Sequence, residues 1–97
     1  MKFTGVFPIL PTPFRDDETV DLDSYANIVR FMSDIGVDGV TILGVLGEAN
    51  RLIDAERKAI IQTAIEASAG KLPVIVGTSH SGTKETVQYS QMAAALG

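Results

Sequence analysis

The chain has 97 residues, 45% apolar and 21% charged, the make-up of one globular domain rather than a disordered segment. A net charge of −4, with eight Lys and Arg scattered among acids, gives nucleic acid no basic face, and apolar runs as short as residues 72–76 cannot cross a membrane. No signal-peptide pattern opens the chain, zero cysteines exclude disulfides and thiolate metal ligands and fit a cytoplasmic location, and the single His80 cannot build a multi-histidine metal site.

Residues 5–10, GVFPIL, predict a first strand. The following PTPFRDDE, residues 11–18, excludes helix through its prolines, and Asp16, Asp17 and Glu18 read as a solvated turn because three consecutive carboxylates cannot all face one ion. Asp21 then offers an N-cap, and Leu22, Tyr25, Val29 and Met32 fall three and four apart to make one apolar stripe before Gly36 stops the helix. Residues 39–43, GVTIL, predict a second strand. In the helix after it, Asp54 and Glu56 suit the dipole of the first turn, Ile60, Ile61, Ala64 and Ile65 form the stripe, and Gly70 is the stop. Ile53 stands where a capping Ser or Thr is expected, so the cap is expected to shift to Asp54 or Asn50. Residues 73–76, PVIV, predict a third strand, followed by a helix with Thr83 as N-cap, Val87, Met92 and Ala94 inward, and Gly97 as its stop.

The strands are continuous and β-branched rather than alternating, the mark of parallel strands covered on both faces. The order β-α-β-α-β-α, about 30 residues per unit, fits right-handed crossovers. Two strand orders meet this pattern. Neighbours 1-2-3 place every helix on one face and leave the other bare, with half of Val40, Ile42, Val74 and Val76 expected on it, whereas 2-1-3 makes a self-contained flavodoxin-like sandwich.

In parallel α/β proteins ligands bind at the carboxyl ends of strands, so LPTPF, LGVLGEAN and VGTSHSGT are the informative segments. With their flanks they read GVFPILPTPF, then VDLDSY, GVDGVTILGVLGEANRLIDAER and LPVIVGTSHSGTKETV. In this order and spacing they resemble the dihydrodipicolinate synthase and N-acetylneuraminate lyase family of pyruvate-handling TIM-barrel enzymes, and the resemblance covers the whole chain. It implies the first three β-α units of an eightfold barrel, strands in order 1-2-3, with residues 1–97 forming one partial domain, since a barrel takes about 250 residues.

The resemblance further implies a Schiff base between a lysine and the keto carbon of pyruvate or another 2-keto acid, with no cofactor and no metal. Such a lysine must be activated at a strand's carboxyl end. Lys2 precedes the first strand, Lys58 and Lys84 lie on helices and Lys71 is at the amino end of the third strand, so no catalytic residue is assigned. Tyr25 and Tyr89, also helical, do not match the family's relay tyrosine. The matching part of the site is the turn after the second strand, where the family receives the substrate carboxylate on backbone N–H groups aided by two hydroxyls. Val45 and Leu46 replace those hydroxyls, and with Gly47 they are the expected substrate-binding residues, Leu46 and Gly47 forming a backbone nest. Loss of the first hydroxyl favours a divergent lyase or dehydratase over a lysine-pathway synthase. For Gly44 and Gly47 the plain alternative is a tight turn needing positive φ. Glu48 reads as a structural carboxylate bonded to loop amides, and His80, between Ser79 and Ser81, as a loop-ordering residue.

The sequence thus implies part of a 2-keto-acid lyase or aldolase, inactive alone, its full-length form a homo-oligomer and the piece itself prone to self-association. The competing reading is a small flavodoxin-like binding or regulatory module without catalysis.

Overall fold

The computed structural model describes residues 5–44, 47–78 and 82–96. Helix α1 (Leu22–Ile35) leads to strand β1 (Val40–Ile42), a single 3-10 turn (Ala49–Arg51), helix α2 (Asp54–Ser68), strand β2 (Val74–Val76) and helix α3 (Thr83–Leu96).

The predicted first strand is present only as an extended segment paired beside β1. Ile9 bridges Thr41 in parallel, with Leu10 N–H donating to Thr41 C=O at 2.9 Å and Thr41 N–H to Pro8 C=O at 2.8 Å. Pro8 has no N–H to extend a ladder, which suits it to a sheet edge. On its other side β1 pairs in parallel with β2, in the register Val40↔Val74, Thr41↔Ile75 and Ile42↔Val76. The order is therefore 1-2-3, with β1 in the middle.

This register decides which residues are covered. Val40 and Ile42 are fully buried in one core with Leu10, Tyr25 and Val29 and, from α2, Ile60, Ile61 and Ala64. The opposite face carries the row Ile9, Thr41, Ile75, in which Ile9 is 52% and Ile75 37% exposed. The bare row thus includes none of Val40, Ile42, Val74 and Val76, half of which are expected there, because the strands' two-residue period sends Val40, Ile42 and their β2 partners together to the helical side.

Both ends of α1 follow from local chemistry. Asp21 accepts from Ser24 N–H at 3.0 Å and from the Ser24 hydroxyl at 2.8 Å, and Gly36, at φ 84°, returns its N–H to the carbonyls of Met32 and Ser33. Helix α2 departs from expectation at both ends. Its N-cap position is Ile53 rather than Asp54 or Asn50, because the Glu56 carboxylate accepts from the Ile53 N–H at 3.0 Å and supplies half of a capping box without any hydroxyl. Its last turn closes on Ala69 at φ 49°, one residue before Gly70.

Helix α3 begins with Thr83 already helical, Gly82 C=O accepting from Thr86 N–H at 3.1 Å in the capping position. Val87 and Ala94 are exposed and Met92 half-buried. The inward stripe is Tyr89, Met92, Ala93 and Leu96: Met92 lies where expected, while Val87 and Ala94 give way to Tyr89 and Ala93, with Tyr89 under the Arg57 guanidinium, 4.1 Å from its ring centroid. Gly97 lies outside the described residues. Among the described residues no helix is long and apolar enough to cross a membrane.

Candidate functional site

The carboxyl ends of the strands bring together residues 11–14, 43–44, 47–49 and 77–78. The turn after β1 departs from ordinary backbone geometry at two non-glycine residues, Leu43 at φ 57° and Glu48 at φ 56°. Left-handed backbone costs a residue with a Cβ about 1–2 kcal/mol, and such strain persists only where the surroundings hold it. Positive φ does not fall on Gly44, contrary to the plain turn reading.

Two glycines hold this geometry through close approach. A Cβ at Gly47 would lie 3.2 Å from the Leu10 carbonyl oxygen and 3.3 Å from Thr12 Oγ1, close enough that these neighbours would have to give by a few tenths of an ångström. At Gly77 a Cβ would collide with the Leu43 carbonyl, and the Gly77 N–H donates to Ile42 C=O at 2.8 Å. The residue after β2 thus seats directly on Leu43, the strained residue that follows β1. Thr78 continues the brace, its hydroxyl hydrogen-bonded to that of Ser90 on α3 at 3.1 Å.

Two polar side chains reach into the turn from outside it. The Thr12 hydroxyl, in a residue 5% exposed, donates to Gly47 C=O at 2.6 Å. Arg57, 2% exposed on α2, donates from Nη2 to Ala49 C=O, while its Nε has no hydrogen-bond partner. Burying a cation is costly; the charge-assisted bond to Ala49 and the Tyr89 ring offset part of that cost. Neither residue is singled out by sequence reasoning, because a threonine between prolines and an arginine among helical charges carry no periodic signal.

Of the expected substrate-binding residues, Gly47 is buried at the centre of this turn, and Val45 and Leu46 lie outside the described residues, as do Ser79, His80 and Ser81. Glu48 is corrected: it pairs with Arg51 Nη1 at 3.2 Å, its side chain 40% exposed, rather than with loop amides. An open hollow beside it, lined by Phe14, Arg15, Glu18, Glu48, Arg51 and Glu56, mixes both signs of charge.

Lys58 and Lys84 are exposed on α2 and α3, and Lys71 is exposed ahead of β2, at the end of the sheet opposite the turn. Tyr25 is wholly buried in α1, where burial pushes its phenol well above the usual range and leaves the hydroxyl without a partner. Asp16, Asp17 and Glu18 are all exposed, and Asp17 accepts from the hydroxyl and the N–H of Thr19 at 2.6 and 3.1 Å, which lowers its pKa.

The chain is 39% identical over 97 residues to the 4-hydroxy-tetrahydrodipicolinate synthase of Stenotrophomonas maltophilia, matching 100% of this chain and 33% of that protein. It is 42% identical over 96 residues to the L-2-keto-3-deoxyarabonate dehydratase of Azospirillum brasilense, 99% of this chain and 31% of that one. The crystal structure of dihydrodipicolinate synthase from Aquifex aeolicus superposes with a TM-score of 0.93 at 33% identity, over 98% of this chain and 32% of the other. The chain thus spans about a third of the length of these relatives, and its fold is that of three consecutive β-α units from the N-terminal part of their TIM barrels. The family model for the dihydrodipicolinate synthetase family matches residues 2–97, and with the strand order and the turn just described, the chain belongs to the dihydrodipicolinate synthetase family.

Proposed function

We propose that this chain is one barrel-forming part of a 2-keto-acid lyase or aldolase, and that its contribution to the site is the turn after β1, which receives the carboxylate of pyruvate or a related 2-keto acid on backbone N–H groups. The observation that carries this reading is the strained turn itself, left-handed at Leu43 and Glu48 and closely packed around Gly47. Strain of this kind is retained where backbone amides must be aimed. A backbone receiver depends on no side chain, so it tolerates Val45 and Leu46 where hydroxyls are expected.

The same reading assigns Schiff-base formation to a lysine other than the four of this chain. Lys58, Lys71 and Lys84 sit on helices or at the amino end of the sheet, exposed to water and away from the carboxyl ends of the strands, where a Schiff-base lysine is needed. The names of the relatives, a synthase and a keto-acid dehydratase, support a lyase of this type without selecting its substrate. The apolar pair at 45 and 46 favours the dehydratase or lyase side, since a hydroxyl proton relay cannot run through Val45.

Incubation with pyruvate and borohydride followed by mass spectrometry tests the assignment: no mass increase is expected, and a stable adduct on any lysine overturns it. Titration of the 15N-labelled chain with pyruvate tests the receiver. Shifts centred on the Gly47 and Glu48 amides, with roughly millimolar affinity as befits a few neutral donors, are expected. Shifts confined to the scattered surface lysines count against it.

A further inference from the structure

Two buried side chains from distant parts of the sequence each hold one carbonyl of the turn after β1. We infer that Thr12 and Arg57 are positioning residues for the carboxylate-receiving turn, an inference that rests on the reading of the turn just given.

The argument starts from the peptide plane. In a trans peptide the C=O and the following N–H point in opposite directions. The Thr12 hydroxyl binds Gly47 C=O at 2.6 Å, so the Glu48 N–H is aimed away from Thr12. Thr12 comes from the loop that follows the leading segment and is 5% exposed, so its hydroxyl is held by packing rather than free to rotate into water. Arg57 does the same two residues on. Its Nη2 binds Ala49 C=O, which orients the next peptide and sets where the turn passes into the 3-10 turn.

Arg57 is an expensive choice for an anchor alone. It is 2% exposed, and among the described residues the ion pairs belong to Arg15 and Arg51, not to Arg57. The guanidinium instead lies on the Tyr89 ring at 4.1 Å, so α3 fixes the arginine that fixes the turn. Neutral donors preorganised by their surroundings need no reorganisation when an anion arrives. The left-handed residue between the two anchored carbonyls is Glu48: the Thr12 bond aims its N–H, and the Arg57 bond fixes the peptide that follows Ala49, so its backbone is held from both sides.

The test uses the full 97-residue chain, 15N- and 13C-labelled, as wild type and as Thr12→Val, Thr12→Ser, Arg57→Met and Arg57→Lys. Three readouts are taken: the Glu48 Cα shift, which reports its left-handed φ; pyruvate Kd from amide shifts; and the amide dispersion of α1 as a fold control. Thr12→Val is expected to move the Glu48 Cα shift and weaken pyruvate about tenfold with α1 unchanged, and Thr12→Ser, which keeps the donor, to restore both. Arg57→Met is expected to weaken pyruvate similarly, and Arg57→Lys to recover only part because it lacks the planar fork. Wild-type shifts and Kd in both Thr12→Val and Arg57→Met overturn the inference. If those two variants lose α1 dispersion, the Ser and Lys variants decide: a Ser variant that behaves unlike wild type at Glu48, or a Lys variant identical to it, overturns the inference. Should wild type show no pyruvate-dependent shifts while the Val and Met variants still move Glu48, the anchoring stands and the carboxylate reading falls.

Discussion

The first two β-α units and the third share a strand-then-helix layout, yet they pack differently. Helices α1 and α2 send Tyr25, Val29, Ile60, Ile61 and Ala64 completely into the core, while α3 has no buried residue and touches that core through the half-buried Met92, Ala93 and Leu96. The inner strand explains the difference. β1 has a neighbour on each side, so Val40 and Ile42 are covered from both helices, whereas the corresponding Val74 and Val76 of β2 remain half-buried. A parallel β-α unit is finished by the units beside it, and helical periodicity alone does not bury a stripe.

Substitutions that separate the two regions test this comparison most directly. Ile60→Ala is expected to cost about 2–5 kcal/mol in urea unfolding, the usual range for emptying a sealed core site, whereas Val87→Ala on α3 stays within about 0.5 kcal/mol. Equal losses at the two positions would mean that α3 is as well packed as α2. Gly77→Ala acts at the seam between the regions. Its Cβ would collide with the Leu43 carbonyl, so a loss of about 1–3 kcal/mol is expected, together with altered amide shifts at residues 43 and 44. An unperturbed stability curve would show that β2 does not hold the turn in place.

A smaller effect of opposite sign is expected at Ala69, exposed and left-handed at φ 49°. Ala69→Gly removes the steric cost of that conformation, partly offset by the freer unfolded chain, for a net gain of about 0.5 kcal/mol by urea unfolding. The smallest effect is the pH dependence of the α1 cap. The Ser24 N–H and hydroxyl hold the Asp21 carboxyl below its ordinary value of 3.8. Its contribution to stability is therefore complete above that value and is lost as pH falls through the lower value of the folded state. Stability curves of the wild type and Asp21→Ala should converge as the pH is lowered there; a gap that stays constant with pH would remove the charge from the explanation.

Much of the architecture was legible. The Asp21 and Gly36 boundaries of α1, the stripes Tyr25/Val29 and Ile60/Ile61/Ala64, and the 1-2-3 order implied by family resemblance are all present in the structure. These are local signals of capping and periodicity, or motifs in a fixed order. On α3 Met92 is legible but Val87 and Ala94 are not the inward residues, because Tyr89, an amphipathic residue, faces Arg57, a partner 32 positions away. At the candidate site, the position of the turn was legible and its geometry was not. Its glycines pointed to strain, yet the left-handed residues are Leu43 and Glu48, and Gly77 matters for what it lets approach.

By itself, then, the sequence determined the kinds of element, their order along the chain and where the turn after β1 falls, because capping, hydrophobic period and strand-end turns depend on neighbours within a few residues. Only the tertiary structure decided which strand face stays bare, and which carbonyls of the turn Thr12 and Arg57 hold. Those outcomes depend on strand register and on the meeting of residues 8 and 35 positions apart, and short-range patterns carry no information about either.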